Sequence, residues 1–105
     1  MFDTLKKLFA GNQDDLRAIA ASGATILDVR SYQEFMSGHI PGAINIPVDQ
    51  LANNLSKLKD KNKPIITCCA SGMRSASAKG YLKSQGYIAV YNGGGWMSLQ
   101  GKIRN

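Results

Sequence analysis

The chain has few of the residues that hold a protein together from outside its own core. It has only two cysteines, and they are neighbours, Cys68 and Cys69. Adjacent cysteines cannot tie distant segments together, and a bond between them would be strained, so a disulfide scaffold is excluded. With His39 the only histidine and no Cys-x-x-Cys pair, the sequence holds too few ligands in metal spacing for a zinc site. Three prolines make no proline-rich tract or rigid linker. No apolar stretch approaches the roughly 20 residues of a membrane span. The N-terminus, MFDTLKKLFAGN, carries an early acid and no long apolar core, unlike a secretory signal. Met1 reads as an intact start, and the expected location is the cytoplasm, with no membrane partner.

Acidic residues are scarce as well. Seven Asp and Glu stand against 13 Lys and Arg, a net charge of +6 and a pI of about 9.6, which suits anionic substrates or acidic partners. The densest basic run is Lys57-Leu58-Lys59-Asp60-Lys61-Asn62-Lys63. No aromatic residue interleaves it and no nucleic-acid motif accompanies it, so it reads as a solvated helix end and loop. No nucleic-acid partner is expected.

What the chain does have is one domain's worth of apolar residues, 44% of 105, without repeats or low-complexity tracts. Leu16, Ile19 and Ala20 form one face of a first helix that Gly23 ends. Thr25-Ile26-Leu27-Asp28-Val29 reads as a strand, and Ser31 with Glu34 as a capping box opening the next helix. Ala43 to Ile46 is a second strand, between Pro41-Gly42 and Pro47. Asp49 is positioned to cap a helix with Leu51, Leu55 and Leu58 on its inner face. Pro64 to Cys68 is a third strand with Cys69 at its carboxyl end. A helix burying Ala78, Tyr81 and Leu82 follows and stops at Gly86. Ile88 to Tyr91 is a fourth strand, and Asn92-Gly93-Gly94-Gly95 leads to a last short helix with Trp96 and Leu99. Short apolar strands alternating with helices predict a three-layer α/β/α fold around a parallel sheet. Ligands of such sheets bind beyond the carboxyl ends of the strands, which is where Cys69 falls.

The run Cys69-Ala70-Ser71-Gly72-Met73-Arg74-Ser75 joins the third strand to its helix. A thiol at a helix N-terminus meets free backbone N–H groups and the positive end of the helix dipole, both of which favour thiolate. Ala70, Ser71, Gly72 and Met73 are candidates to line an anion pocket, Gly72 because glycine allows positive φ or close approach of a ligand. Arg74 either binds the anion or braces the loop. Ser75 either caps the helix or donates to the thiolate, and the cap is the favoured role. Asp28 and Arg30 are expected to pair near the site, and His39 to hold a turn. Tyr91 and Trp96 are expected in the core or at the pocket rim.

Three stretches together resemble the rhodanese-like sulfurtransferase domain. They are ILDVRSYQEFMSGHIPGAINIP over 26–47, PIITCCASGMRSASAKGYLKSQGY over 64–87, and VYNGGGW over 90–96. The resemblance spans roughly residues 12–101. It implies a single free-standing rhodanese-like domain over 12–105, with 1–11 as an N-terminal extension. The family usually opens on a short strand that the first residues here do not resemble, so four or five strands are expected. Counted from Cys68, Arg74 completes the longer loop of cysteine phosphatases; counted from Cys69, it completes the six-residue loop of sulfurtransferases. Thr67 stands where those phosphatases commonly carry His, and Cys68 aligns with the strand residue before the family's nucleophile. The resemblance therefore implies Cys69 as nucleophile. It implies transfer of sulfane sulfur from thiosulfate or a related anionic donor, through a Cys69 persulfide, to cyanide, a thiol or a protein. No metal or organic cofactor is expected. The alternatives are a persulfide carrier with low turnover and, less favoured, a cysteine phosphatase or arsenate reductase.

Overall fold

In the computed structural model, which describes residues 12–104, four short strands and the helices between them follow the apolar periodicity of the sequence. Helix α1 (Asn12–Ala21) leads through Gly23, at φ +100, into β1 (Thr25–Asp28). Helix α2 (Tyr32–Met36) comes next and carries the expected capping box, with Ser31 and Glu34 each bonding the other's backbone N–H. Then follow β2 (Ile44–Asn45), a 3-10 segment (Val48–Lys57), β3 (Ile65–Cys69), α3 (Met73–Ser84), β4 (Val90–Gly95) and α4 (Trp96–Ile103). All strand pairs are parallel, in the order β2-β1-β3-β4. The family's additional first strand would fall within residues 1–11, which lie outside the described residues.

Side chains alternate across the sheet and sort the core into two halves. Leu27, Val29, Ile65 and Cys69 face a cluster completed by Leu51 and Leu58 of the 3-10 side and by Ala78 and Leu82 of α3. Ile26, Ile66 and Cys68 face the other cluster, completed by Leu16 of α1 and Leu99 of α4. The middle layer is thus covered on both faces, as an all-parallel sheet requires. Asn45, at the end of β2, donates to the carbonyls of Asp28 and Arg30 at 3.0 and 2.9 Å and fixes the carboxyl end of β1.

Two segments differ from the sequence expectation. Asp49 caps no helix: the segment it opens is 3-10, with Pro47 at the N-cap and no side-chain cap bond. Its backbone breaks at Asn54 (φ −128, ψ 21), whose side-chain amide bonds the Gln50 carbonyl at 2.8 Å, a local bond that competes with regular helix. The fourth strand starts later and runs further than expected, through the glycines to Gly95, while Ile88 lies exposed before it. Thr67 pairs with Asn92 but Cys69 with Gly95, so two residues on β3 oppose three on β4. That extra residue is a bulge, and the glycines are what let it pass so close to its neighbours. A Cβ on Gly93 would lie 2.7 Å from Leu99 Cδ2 and 2.9 Å from both Ile66 Cγ2 and the Thr67 carbonyl oxygen. Gly93→Ala is therefore expected to destabilise the domain by about 1–3 kcal/mol, as overpacking does. Urea unfolding should show a lowered midpoint at unchanged m-value.

Candidate active site

Strand β3 delivers Cys69 to the first turn of α3. Gly72 occupies the N-cap of that helix in a left-handed conformation (φ +102) and has no side chain to satisfy the free N–H groups. The Cys69 sulfur takes that place. It accepts from the Gly72 N–H at 3.0 Å and from the Ser75 N–H at 3.3 Å. Burial pushes the Cys69 thiol up; the Ser75 hydroxyl, when it donates to the sulfur, and the N–H groups of Ser75, Ser71 and Gly72 outweigh burial and bring the group below its ordinary value. The sulfur is enclosed: Cys69 has no exposed surface, while Ala70 and Ser71 above it are open to solvent.

Ser75 does not cap α3: Gly72 holds the N-cap, and Ser75 is the third residue of the helix. Its hydroxyl sits 3.5 Å from the Cys69 sulfur, 3.1 Å from the Gly72 carbonyl oxygen and 2.6 Å from Asn92 Oδ1. Asn92 is a site residue that no sequence motif singles out. The bulge in β4 turns its side chain toward the loop, where Oδ1 also accepts from Gly94 N–H at 2.9 Å. Gly94 itself passes beneath the loop, its Cα 3.4 Å from where a Cβ on Gly72 would lie. Thr67 completes the anchorage, donating to the Ser75 carbonyl at 2.9 Å.

Arg74 braces the loop. Its guanidinium makes a two-point pair with Glu34, at 2.7 and 3.0 Å, across 40 positions of sequence. The same carboxylate also accepts from the Ser31 N–H at 3.0 Å, so one side chain closes the α2 capping box and holds the loop of β3. Arg74 and the Ser31 backbone N–H hold the Glu34 carboxyl at about 2, below its ordinary 4.5. Folded Glu34 thus binds its proton less readily than unfolded Glu34. The pair's contribution is complete above about pH 4.5 and is lost as pH falls toward about 2. Both side chains are 38% exposed, so solvent screens the pair and its contribution is modest. Thermal melts of the native chain and Glu34→Gln should differ at neutral pH and converge across that acid window.

The chain and its fold have known counterparts. The family model for the rhodanese-like domain matches residues 12–101. The chain belongs to the rhodanese-like domain family. A thiosulfate sulfurtransferase GlpE of Pseudomonas savastanoi pv. phaseolicola is 35% identical over 86 residues, 82% of this chain and 80% of that protein. A putative sulfur carrier protein, YrkF, of Bacillus subtilis is 39% identical over 67 residues, 64% of this chain but 36% of that protein. Among solved structures, a rhodanese with anions from E. coli superposes with a TM-score of 0.69 at 32% identity, covering 72% of this chain and 91% of that one.

Within this rhodanese-like domain the cysteine doublet is divided by the sheet. Cys68 points to the opposite face from Cys69 and packs with Ile26, Ile66 and Leu99. Burial pushes the Cys68 thiol up to about 12, and Asp28 adds to the shift. A resolving attack by Cys68 on a sulfur held by Cys69 has no path through the strand. Asp28 and Arg30 form the expected pair, fully buried: Arg30 Nε and Nη2 reach the carboxylate at 2.9 and 2.7 Å. Arg30 also donates to the carbonyls of Glu34 and Gly38, at 3.2 and 2.7 Å, and lies 4.8 Å from the Trp96 ring centre. It thereby ties α2, which carries Glu34, to the end of β1. His39 holds the turn as expected, its Nδ1 2.8 Å from the Phe35 carbonyl oxygen and its ring stacked on Phe35. Tyr91 packs against the α1–α4 side of the core.

Met73, a candidate to line the anion pocket, instead starts α3 with its side chain 81% exposed. Cavity size does not single out the site. A cavity of about 740 Å³ lies between α1 and the β2 edge, lined by Arg17, Thr25, Ile40 and Ile103, and touches none of the loop. A smaller one, about 280 Å³, is lined by Val29, Pro47, Asp49 and Arg74 beside it. Among the described residues no three His, Cys, Asp or Glu side chains are gathered as metal ligands are, and no helix is long and apolar enough to cross a membrane.

Proposed function

We propose that the protein is a thiosulfate-type sulfurtransferase with Cys69 as its nucleophile. The observation that carries this reading is the Cys69 sulfur seated at the start of α3, accepting two backbone N–H bonds within a six-residue loop. The thiolate attacks the outer, sulfane sulfur of thiosulfate. A new S–S bond forms as the donor's S–S bond breaks, and sulfite leaves with the bonding electron pair. The persulfide's outer sulfur then carries the negative charge, and loop N–H groups are suited to hold it, as an oxyanion hole holds oxygen. A thiophilic acceptor attacks that outer sulfur and returns the Cys69 thiolate. Neither step needs a general base, which agrees with the structural position of His39. The sulfur is enclosed in this structure, so a donor reaches it only if atoms around it shift.

Ala70, Ser71, Gly72 and Ser75 serve in this reading as the lining of the sulfur pocket. Arg74 serves through Glu34, as a brace. A register starting at Cys68 loses support, because that thiol faces away from the loop and resists ionisation. Steady-state rates with thiosulfate and cyanide varied together should give the parallel double-reciprocal lines of a ping-pong reaction. Intersecting lines would count against the covalent route. A persulfide-carrier role is favoured instead if the loaded protein is stable but cyanide turns it over negligibly; the enclosed sulfur is the feature that fits that outcome.

A further inference from the structure

The Ser75 hydroxyl has one proton and three acceptors within reach: the Cys69 sulfur at 3.5 Å, the Gly72 carbonyl at 3.1 Å and Asn92 Oδ1 at 2.6 Å. The orientation of the Asn92 amide is fixed independently. Gly94 N–H can only donate, so the atom 2.9 Å from it is the oxygen, and the Asn92 NH₂ is left toward the Gly72 carbonyl at 3.4 Å. An amide oxygen cannot donate, so the short 2.6 Å bond places the Ser75 proton on the Asn92 side. The hydroxyl lone pairs then face the Cys69 sulfur. That arrangement suits a thiol, whose S–H can donate to Ser75. It does not suit a thiolate, which would meet a lone pair unless the hydroxyl turned and gave up Asn92.

We infer that Asn92 is a positioning residue that sets the protonation state of Cys69, by competing with the thiolate for the single proton of the Ser75 hydroxyl. The backbone N–H groups of Gly72 and Ser75 stabilise the thiolate at all times, while the Ser75 hydroxyl does so only when released from Asn92. Asn92 thereby holds Cys69 less acidic than the loop alone would make it. The charged and titratable groups around the sulfur are Arg74 on α3, Glu34 on α2, Asp28 and Arg30 at the end of β1, Asp49 on the 3-10 segment beside Arg74, and Cys68 on β3 itself, with Tyr81 of α3 and Tyr87 beyond it in the same core cluster as Cys69. From β4 there is only Tyr91, which packs on the opposite face. Replacing Asn92 with alanine alters none of these groups.

The inference rests on Cys69 being the reactive sulfur of the proposed function, but its test reads protonation alone. It can fail with sulfur transfer intact, and sulfur transfer can fail with it intact. The measurement is the ultraviolet thiolate absorbance against pH for the full chain, with Cys69→Ser as blank. Asn92→Ala should lower the Cys69 midpoint, raising the thiolate fraction below it by up to about tenfold, the size of one lost competitor for a charge-assisted bond. In a Ser75→Ala background the same replacement should leave the midpoint where it is. Asn92→Asp, which keeps both acceptor roles and guards against misfolding of the alanine variant, should raise the midpoint, and by less when Ser75 is alanine. An unchanged or raised midpoint in Asn92→Ala would overturn the inference. So would shifts, from either variant, of equal size with and without the Ser75 hydroxyl.

Discussion

Cys69→Ser is expected to remove thiosulfate-to-cyanide turnover, by on the order of 10³-fold or more, as loss of a covalent nucleophile does. Cys68→Ala should keep most of the rate. The contrast follows from one strand. Successive side chains on β3 point to opposite faces, so Cys69 meets the first turn of α3 while Cys68 is packed against Leu99 and Ile66. Serine in place of Cys69 could still accept the Gly72 and Ser75 N–H bonds, so the loop should keep its shape. Its hydroxyl would stay protonated at any working pH. The loss would therefore fall on the chemical step and not on folding, and melts of Cys69→Ser and the native chain should lie close together. Equal losses in the Cys69 and Cys68 variants would point to packing of the strand and not to nucleophilic chemistry.

The largest stability effect is expected at Asp28. Its carboxylate has no exposed surface, and Arg30, its partner, is 4% exposed. Removing one member of such a pair strands the other charge in the core. Asp28→Asn is therefore expected to cost about 3–5 kcal/mol, enough to lower Tm by more than about 10 °C in a domain of this size. Chemical unfolding at neutral pH measures it directly. Replacing both partners together, as Asp28→Leu with Arg30→Met, should recover part of that loss, because no charge is then left unpaired. The recovery should be incomplete, since Arg30 also satisfies the Glu34 and Gly38 carbonyls and covers the Trp96 ring. Arg30 joins β1 to the helix that carries Glu34, and Glu34 holds Arg74. The Asp28 and Arg30 variants should for that reason also loosen the Cys69 loop, and lose activity at temperatures where they remain folded.

The parts of this arrangement that were legible in the sequence are those governed by local chemistry. The capping box of Ser31 and Glu34 is spelled out over four positions, and Gly23 ends α1 at a positive φ that glycine allows. The strand–loop–helix around Cys69 could be read because apolar β3, the glycine at Gly72 and the helical spacing of Ala78 and Leu82 lie in one stretch. The features that were not legible depend on long-range register. Nothing near Arg74 identifies Glu34, 40 positions away, as its partner. Asn92 sits in a glycine run that reads as a turn. Only the bulge opposite Thr67 and Cys69 makes it part of β4 and aims its amide at Ser75. Ser75 looks like a helix cap beside the loop, yet the cap position belongs to Gly72 and the capping acceptor is the Cys69 sulfur itself. Asp49 follows Pro47 in the pattern of a helix start, but the backbone there winds as 3-10 and leaves the carboxylate uncommitted as a cap.

The central claim is that sulfur is carried covalently on Cys69. Intact-mass measurement after incubation with thiosulfate, on the native chain, Cys68→Ala and Cys69→Ser, tests it most directly. The account predicts a gain of one sulfur atom in the native chain and in Cys68→Ala, reversed by cyanide, and no gain in Cys69→Ser. Sulfur retained by Cys69→Ser, or lost only in Cys68→Ala, would contradict it.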